Sequence, residues 1–263
     1  MKKLSKAYLG LVLAFLYAPI VVLMVYSFNA SKSRAVWQGF TFDWYKTLFA
    51  NEAIMSSLYT TLLCGVLSAL IATVIGSMAA YGLGKSRKAS GGLVLSIAYI
   101  PMLNAEIVTG VSLMLLFTIM GLDLGFFTML IAHITFGIPY VILTVLPKVR
   151  QIDWSLAAAA QDLGCTPWQS FWKIIFPELL PAIGTGFLLS LTMSIDDFII
   201  SFFTTGNGVS NLSITIYTMA KRGIKPEINA LSTIMFTVIF VILIIANVGA
   251  VKREKDKKRS MRI

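Results

Sequence analysis

Long apolar runs separated by short polar breaks dominate the chain, and the runs are continuous rather than alternating. Crossing a bilayer core takes roughly 20 helical residues at about 1.5 Å each, and six runs meet that length: 7–28, 58–83, 92–119, 125–147, 178–203 and 230–251. Unbroken apolarity marks helices rather than barrel strands, because lipid offers no partner to a free backbone N–H or C=O. The pattern therefore predicts an all-α, polytopic membrane protein, one transmembrane domain over residues 1–263 with six membrane helices. Acids inside the third and fifth runs leave the ends of those two spans open.

One interruption is organised. Between the fourth and fifth runs, residues 150–177 are semi-polar. Asp153 is placed to cap a helix through Leu156–Leu163, whose alanines give it high propensity and a smooth surface. Gly164 is placed to end that helix, and Thr166-Pro167 to start a second one with Phe171, Ile174 and Ile175 on its apolar face. Pro177 is expected to close it before the fifth span. Two short helices joined at a glycine make a knob suited to a groove on another protein.

Composition agrees with the pattern: 57% of residues are hydrophobic and 13% charged, and the mean hydropathy is +0.81. The net charge of +10 follows from topology. With both termini cytoplasmic, 16 of the 22 Lys and Arg residues face the inside, including the basic tail 252–263. The first run starts with basic residues and lacks a cleavage pattern after Phe28, so it reads as a signal anchor. Cys64 lies in a span and Cys165 in the knob, which makes a disulfide between them implausible. His133, the single histidine, reads as a hydrogen-bonding partner for a neighbouring helix rather than a metal ligand or proton relay. No metal site, catalytic residue or nucleotide-binding motif is evident, so the chain is expected to be no enzyme and to bind no cofactor of its own. The outer loop 29–57 carries the aromatic stretch Trp37–Tyr45, which reads as an interfacial belt with a surface-lying helix or, more sharply, as a docking surface or an entrance for cations. The loop 204–229 is rich in Gly, Asn and Thr.

The spacing of Ala158-Ala159-Ala160, Gly164, Ile174, Phe176 and Pro177 resembles the EAA loop of ATP-binding-cassette importer permeases, with Ala158 in place of the Glu and Phe176 in place of the Leu. Together with the six spans, the Trp37–Tyr45 stretch and Ser194-Ile195-Asp196-Asp197, the likeness extends to the spermidine/putrescine permeases of that family. The resemblance implies the type I importer (MetI-like) transmembrane fold in a bacterial inner membrane. It implies a second permease as heterodimeric partner, two ATPase subunits that carry ATP and Mg, and an extracytoplasmic polyamine-binding protein. It also implies that Ala158, Ala159, Ala160, Asp162, Gly164, Ile174 and Pro177 form the contact through which the ATPases drive the spans. No nucleic-acid partner is expected.

Cargo is read from acids inside the membrane, because a charged side chain at mid-helix costs about 2.5–3.5 kcal/mol on insertion scales and so faces a cavity or a partner. Glu106 lies about 21 Å and Asp196 about 27 Å from the cytoplasmic starts of their spans, counting about 1.5 Å per residue, which allows one shared cavity reachable from outside. Asp196 and Asp197 are separated by about 100° on a helix; one is expected to face the path and the other to pair with a neighbouring helix. Pro101 frees carbonyls a turn earlier and Asn104 adds neutral acceptors. Tyr99 and Phe198 offer aromatic faces to methylenes and ammonium groups. Glu106, Asp196, Asp197, Asn104, Tyr99 and Phe198 are therefore the candidate path residues. Other readings of the same residues are acids that hold the permease pair together, a permease for another small cation or an amino acid, and an ion-coupled secondary carrier using Glu106 and Asp197. The lack of an evident internal repeat disfavours the carrier.

Overall fold

The structure is a computed structural model, and it describes residues 2–31, 36–85, 88–222, 226–237 and 240. The described residues are helical, with one isolated antiparallel bridge, Asn29 to Phe40. In chain order the helices are α1 (Lys2–Tyr26), α2 (Asp43–Ala50), α3 (Glu52–Lys85), α4 (Lys88–Leu103), α5 (Glu106–Ile119), α6 (Phe126–Arg150), α7 (Trp154–Asp162), α8 (Pro167–Ser170), α9 (Phe176–Asp196), α10 (Ile199–Thr204) and α11 (Leu212–Lys221). A π-helical turn, Phe171–Ile175, joins α8 to α9, and residues 226–237 are helical. Among the described residues, four helical stretches are long and apolar enough to cross a membrane: Tyr8–Tyr26, Glu52–Lys85, Phe126–Arg150 and Pro167–Asp196; Glu106–Ile119 is a shorter apolar helix. Of the expected sixth span, 238–239 and 241–251 lie outside the described residues, as does the basic tail 252–263.

The chain divides into two compact units, one of residues 1–55 with 216–263 and the other of residues 56–215. In the first, Tyr17 meets Phe236 edge to face, and Asn51 donates to Glu227 over 3.3 Å. The Trp37–Tyr45 stretch folds around Asn29. Its side chain takes the N–H groups of Ser31 and Gln38 and donates to the Val36 carbonyl, while the Trp44 indole donates to the Asn29 carbonyl. Phe28, Phe40, Phe42 and Tyr45 cluster beside it, ahead of the short helix α2. The windows Tyr8–Tyr26 of α1 has no buried residue, as suits a helix whose neighbours are lipid or another chain.

The second unit is built on α3, α6 and α9. Lipid is as apolar as leucine, so contact between membrane helices depends on close packing, which small residues permit. Ala72 meets Gly137 and Gly76 meets Val141 at one offset along α3 and α6, so these two helices run parallel. Val141 meets Gly186, Gly137 meets Ser190, and His133 reaches Ser194, so α9 runs antiparallel to α6. At their far ends Lys148 and Glu178 form a half-exposed ion pair of 2.7 Å. Val141, Val145, Val149, Ile175 and Leu179 make the buried core there.

Three findings correct the sequence reading. The third run is not one helix: it breaks at Asn104–Ala105, between α4 and α5. The fifth also breaks, at Asp197–Phe198, between α9 and α10. Pro177 closes nothing. The second helix of the knob runs on through the π-helical turn, in which the Phe176 N–H reaches back five residues to the Phe171 carbonyl. That wider turn seats a proline at the start of α9 without ending the rod.

Candidate functional site

Both breaks lie in the second unit. A Cβ on Gly110 of α5 would stand 3.5 Å from the Ile200 Cα and 3.5 Å from the Ile199 carbonyl oxygen, so α5 and the start of α10 touch backbone to backbone. Further along, the Thr128 hydroxyl donates to the Thr204 carbonyl over 2.8 Å and Gly206 abuts Leu124. The helices α5 and α10 therefore run in parallel. Glu106 precedes Gly110 by one turn, about 6 Å, and Asp196 lies just across the second break from Ile199–Ile200. Two of the three carboxylates that the sequence singled out, Glu106 and Asp196, therefore each stand beside a helix break.

The two aspartates differ sharply. Asp196, the last residue of α9, is exposed and makes no side-chain hydrogen bond or ion pair among the described residues. Asp197 is buried at 9% exposure. One of its oxygens takes the Ile200 N–H at 3.1 Å; the other takes the Ser201 N–H at 2.7 Å and the Ser201 hydroxyl at 2.8 Å. In an unbroken helix the Ile200 and Ser201 N–H groups would bond to the Asp196 and Asp197 carbonyls. The Asp197 side chain replaces both bonds and so caps α10. Its own carbonyl is taken up by the Asn211 amide at 3.2 Å. Asp197 is thus a buried cap rather than a group lining an open path, because its carboxylate is already filled by backbone and hydroxyl donors.

A single ring from α6 grips both sides of this break. His133, 5% exposed, lies with Nδ1 2.5 Å from Ser194 Oγ on α9 and Nε2 2.9 Å from Ser201 Oγ on α10. Nε2 is also 3.4 Å from the Asp197 carboxylate. Ser68 of α3 extends the network to Ser194 at 3.1 Å. The lone histidine is a partner for a neighbouring helix, as its isolation in the sequence suggested. Ser201 and Asn211 went unnoticed there, although an Asp followed four residues later by Ser inside an apolar run is a capping pattern.

At the other break the Asn104 N–H still reaches the Ile100 carbonyl, and α5 restarts with the Val108 N–H on the Ala105 carbonyl. Glu106 sits in the first turn of α5, where its charge suits the helix dipole. Asn104, Tyr99 and Glu106 are exposed, and Phe198 is half-buried in the second break. Cys64 and Cys165 are both free thiols, and the described residues contain no cluster of His, Cys, Asp or Glu able to hold a metal.

The knob is a helix–turn–helix. Asp153 caps α7 by accepting the Ser155 N–H at 3.0 Å; hydrogen bonds from the Ser155 side chain and backbone hold its carboxyl below the usual range. At the turn the Cys165 N–H bonds to the Ala160 carbonyl and the Gly164 N–H to the Gln161 carbonyl, a Schellman closure. It puts Gly164 at φ +94°, where a side chain is strained. Thr166 and Gln169 form a capping box and Pro167 opens α8. The Ser170 hydroxyl donates to the Ala157 carbonyl, and Tyr81 of α3 packs between Trp154 and Phe171. Ala157 turns inward. Ala158, Ala159, Asp162, Gly164 and Pro177 are exposed; Ala160 and Ile174 are half-buried. Leu163, 88% exposed, and Trp168, 70% exposed, stand at the tip.

Residues 72–253 match the family described as binding-protein-dependent transport system inner membrane component. The chain is similar to the spermidine/putrescine transport system permease protein PotC of Escherichia coli (strain K12), with 38% identity over 254 residues, 97% of this chain and 96% of that protein. It is also similar to the putrescine transport system permease protein PotI of the same strain, with 35% identity over 256 residues, 94% of this chain and 90% of that protein. Its fold is similar to that of a chain in a bacterial ABC transporter that imports the acidic polysaccharide alginate, with a TM-score of 0.71, 17% identity and 94% of each chain covered.

Proposed function

The chain belongs to the family of inner-membrane components of binding-protein-dependent transport systems, and from that premise we propose that it is a permease subunit for polyamines, spermidine or putrescine, in an ATP-driven importer. The observation that carries this reading is the contact of α5 with α10 through Gly110, with Glu106 and Asp196 exposed beside the two breaks; in this account the two carboxylates share one layer. A polycation gives both carboxylates a counter-charge, which offsets the cost of holding them in the membrane. The α4 and α9 helices end at this layer, and helix C-termini favour cations. Tyr99 and Asn104 lie on the α4 side of it, and Phe198 lies on the α9 side. The names of the similar permeases point to the same cargo class.

In this account a second permease completes the path, a binding protein delivers the cargo on the outer side, and two ATPase subunits hold ATP and Mg on the inner side. The excess of Lys and Arg at the ends of 85–88 and 148–150 and in the tail supports both termini facing the ATPases. The knob, exposed at Ala158, Ala159, Asp162, Gly164 and Pro177, is the ATPase contact. One continuous helix, Pro167–Asp196, runs from that contact to the exposed carboxylate, about 45 Å at 1.5 Å per residue. Closure of the ATPases therefore moves Asp196 without an intervening flexible joint, and with it the exposure of the path to either side. The test is uptake of labelled spermidine and putrescine by proteoliposomes containing the chain, with the second permease, the ATPases and the binding protein omitted one at a time. Uptake that needs every component supports the proposal. Uptake by the chain alone would establish the secondary carrier instead.

A further inference from the structure

We infer that His133 is a positioning residue for transport: it holds the break in the fifth span open and so fixes the direction of the Asp196 carboxylate. The inference rests on the reading above that Asp196 lines the path. Its physical basis is the accounting of backbone bonds at the break. Healing the helix would return the Ile200 and Ser201 N–H groups to main-chain carbonyls, so the break persists only while side chains satisfy those groups better. Asp197 supplies the acceptors, and its backbone is extended at ψ 126°.

The Asp197 carboxylate is itself held from α6. His133 Nε2 lies 3.4 Å from it and 2.9 Å from the Ser201 hydroxyl that Asp197 also binds. The opposite ring nitrogen is fixed on Ser194, two residues before Asp196. One rigid, buried ring thus sets the spacing between the end of α9 and the start of α10. Asp196 sits between the two attachment points, directly before the residue whose backbone turns out of the helix. Its own side chain has no hydrogen-bond partner among the described residues, so its direction follows the backbone that His133 holds.

The test is a double-mutant cycle in proteoliposomes containing the whole importer, reading spermidine uptake per ATP hydrolysed. His133→Ala should lower that ratio about tenfold, the upper end of the scale for one lost hydrogen bond, while the ATPase stays active. His133→Gln, whose carboxamide keeps a donor and an acceptor, should recover part of it. Asp196→Asn should lower the ratio as well, and the His133→Ala, Asp196→Asn pair should fall no further than Asp196→Asn alone. Additive losses in the pair, a wild-type ratio in His133→Ala, or failure of both His133 variants to assemble would overturn the inference. A wild-type ratio in Asp196→Asn alone would remove the path reading itself, a separate result.

Discussion

Replacing Asp197 by Asn separates structural from transport roles for the two neighbouring acids. The Asp197 carboxylate accepts three hydrogen bonds with both oxygens, all from buried donors. An amide has one acceptor oxygen. Whichever way it turns, its NH2 faces at least one N–H group and leaves that donor unpaired. A lost hydrogen bond to a charged group contributes about 1.5–3 kcal/mol and an unsatisfied buried donor about 1–3 kcal/mol, so a loss of about 3 kcal/mol is expected. For a chain of this size that corresponds to a fall in melting temperature of roughly 6–12 °C. Asp196→Asn removes no hydrogen bond among the described residues and should leave the melting temperature within about 2 °C, a change under about 0.5 kcal/mol. The assay is thermal unfolding of the purified permease complex in detergent, alongside spermidine uptake by the same preparations. Asp197→Asn should be unstable and transport poorly; Asp196→Asn should be stable and transport poorly. Equal stability of the two variants would refute the assignment of Asp197 as the cap of α10.

Gly137 stands where α3, α6 and α9 meet: a Cβ there would lie 2.5 Å from Ser190 Oγ and 3.1 Å from Ala72 Cβ. Gly137→Val should force α3, α6 and α9 apart at a cost of about 1–3 kcal/mol or more, seen as a reduced yield of monodisperse permease complex, and an undiminished yield would refute the close packing. Gly164→Val imposes a β-branched side chain at φ +94°, a strain of about 1–2 kcal/mol, on the turn between the knob helices. It should lower uptake per ATP hydrolysed while leaving the spans folded, and a wild-type ratio would remove this turn from the coupling contact.

What the sequence could and could not reveal follows from where each structural cause resides. The helices α3 and α6 were legible because an unbroken apolar run is a property of the run itself. The knob was legible for a similar reason: Asp153, Gly164, Thr166 and Pro167 act on backbone groups within a few residues of themselves. The two breaks were not legible. Neither Asn104–Ala105 nor Asp197–Phe198 carries a glycine, and the second is held by His133, 64 residues earlier in the chain, and by Asn211 in a loop. The Asp197 cap is local, but the tertiary partners that hold it in place lie far along the chain. Pro177 misled in the opposite direction, since its effect on the helix is absorbed by a π-helical turn that nothing in Phe171–Ile175 announces. The depth estimate for Glu106 and Asp196 used only the helical rise. It could not distinguish Asp196 from Asp197, because that depends on which of the two meets the capping donors of α10.

These elements join in one mechanical description. The second helix of the knob and the fifth span are a single rod, its far end is notched at Asp197, and α5 is packed beside the notch through Gly110.

The measurement that bears most directly on the central claim is ATP-dependent uptake of labelled spermidine by proteoliposomes of the complete importer, comparing wild type with Glu106→Gln, Asp196→Asn and the double variant. Each single substitution is expected to lower uptake while the complex still assembles and hydrolyses ATP, and the double variant is expected to be nearly inactive. Wild-type uptake by the double variant would contradict the account, because the cation would then cross without either carboxylate.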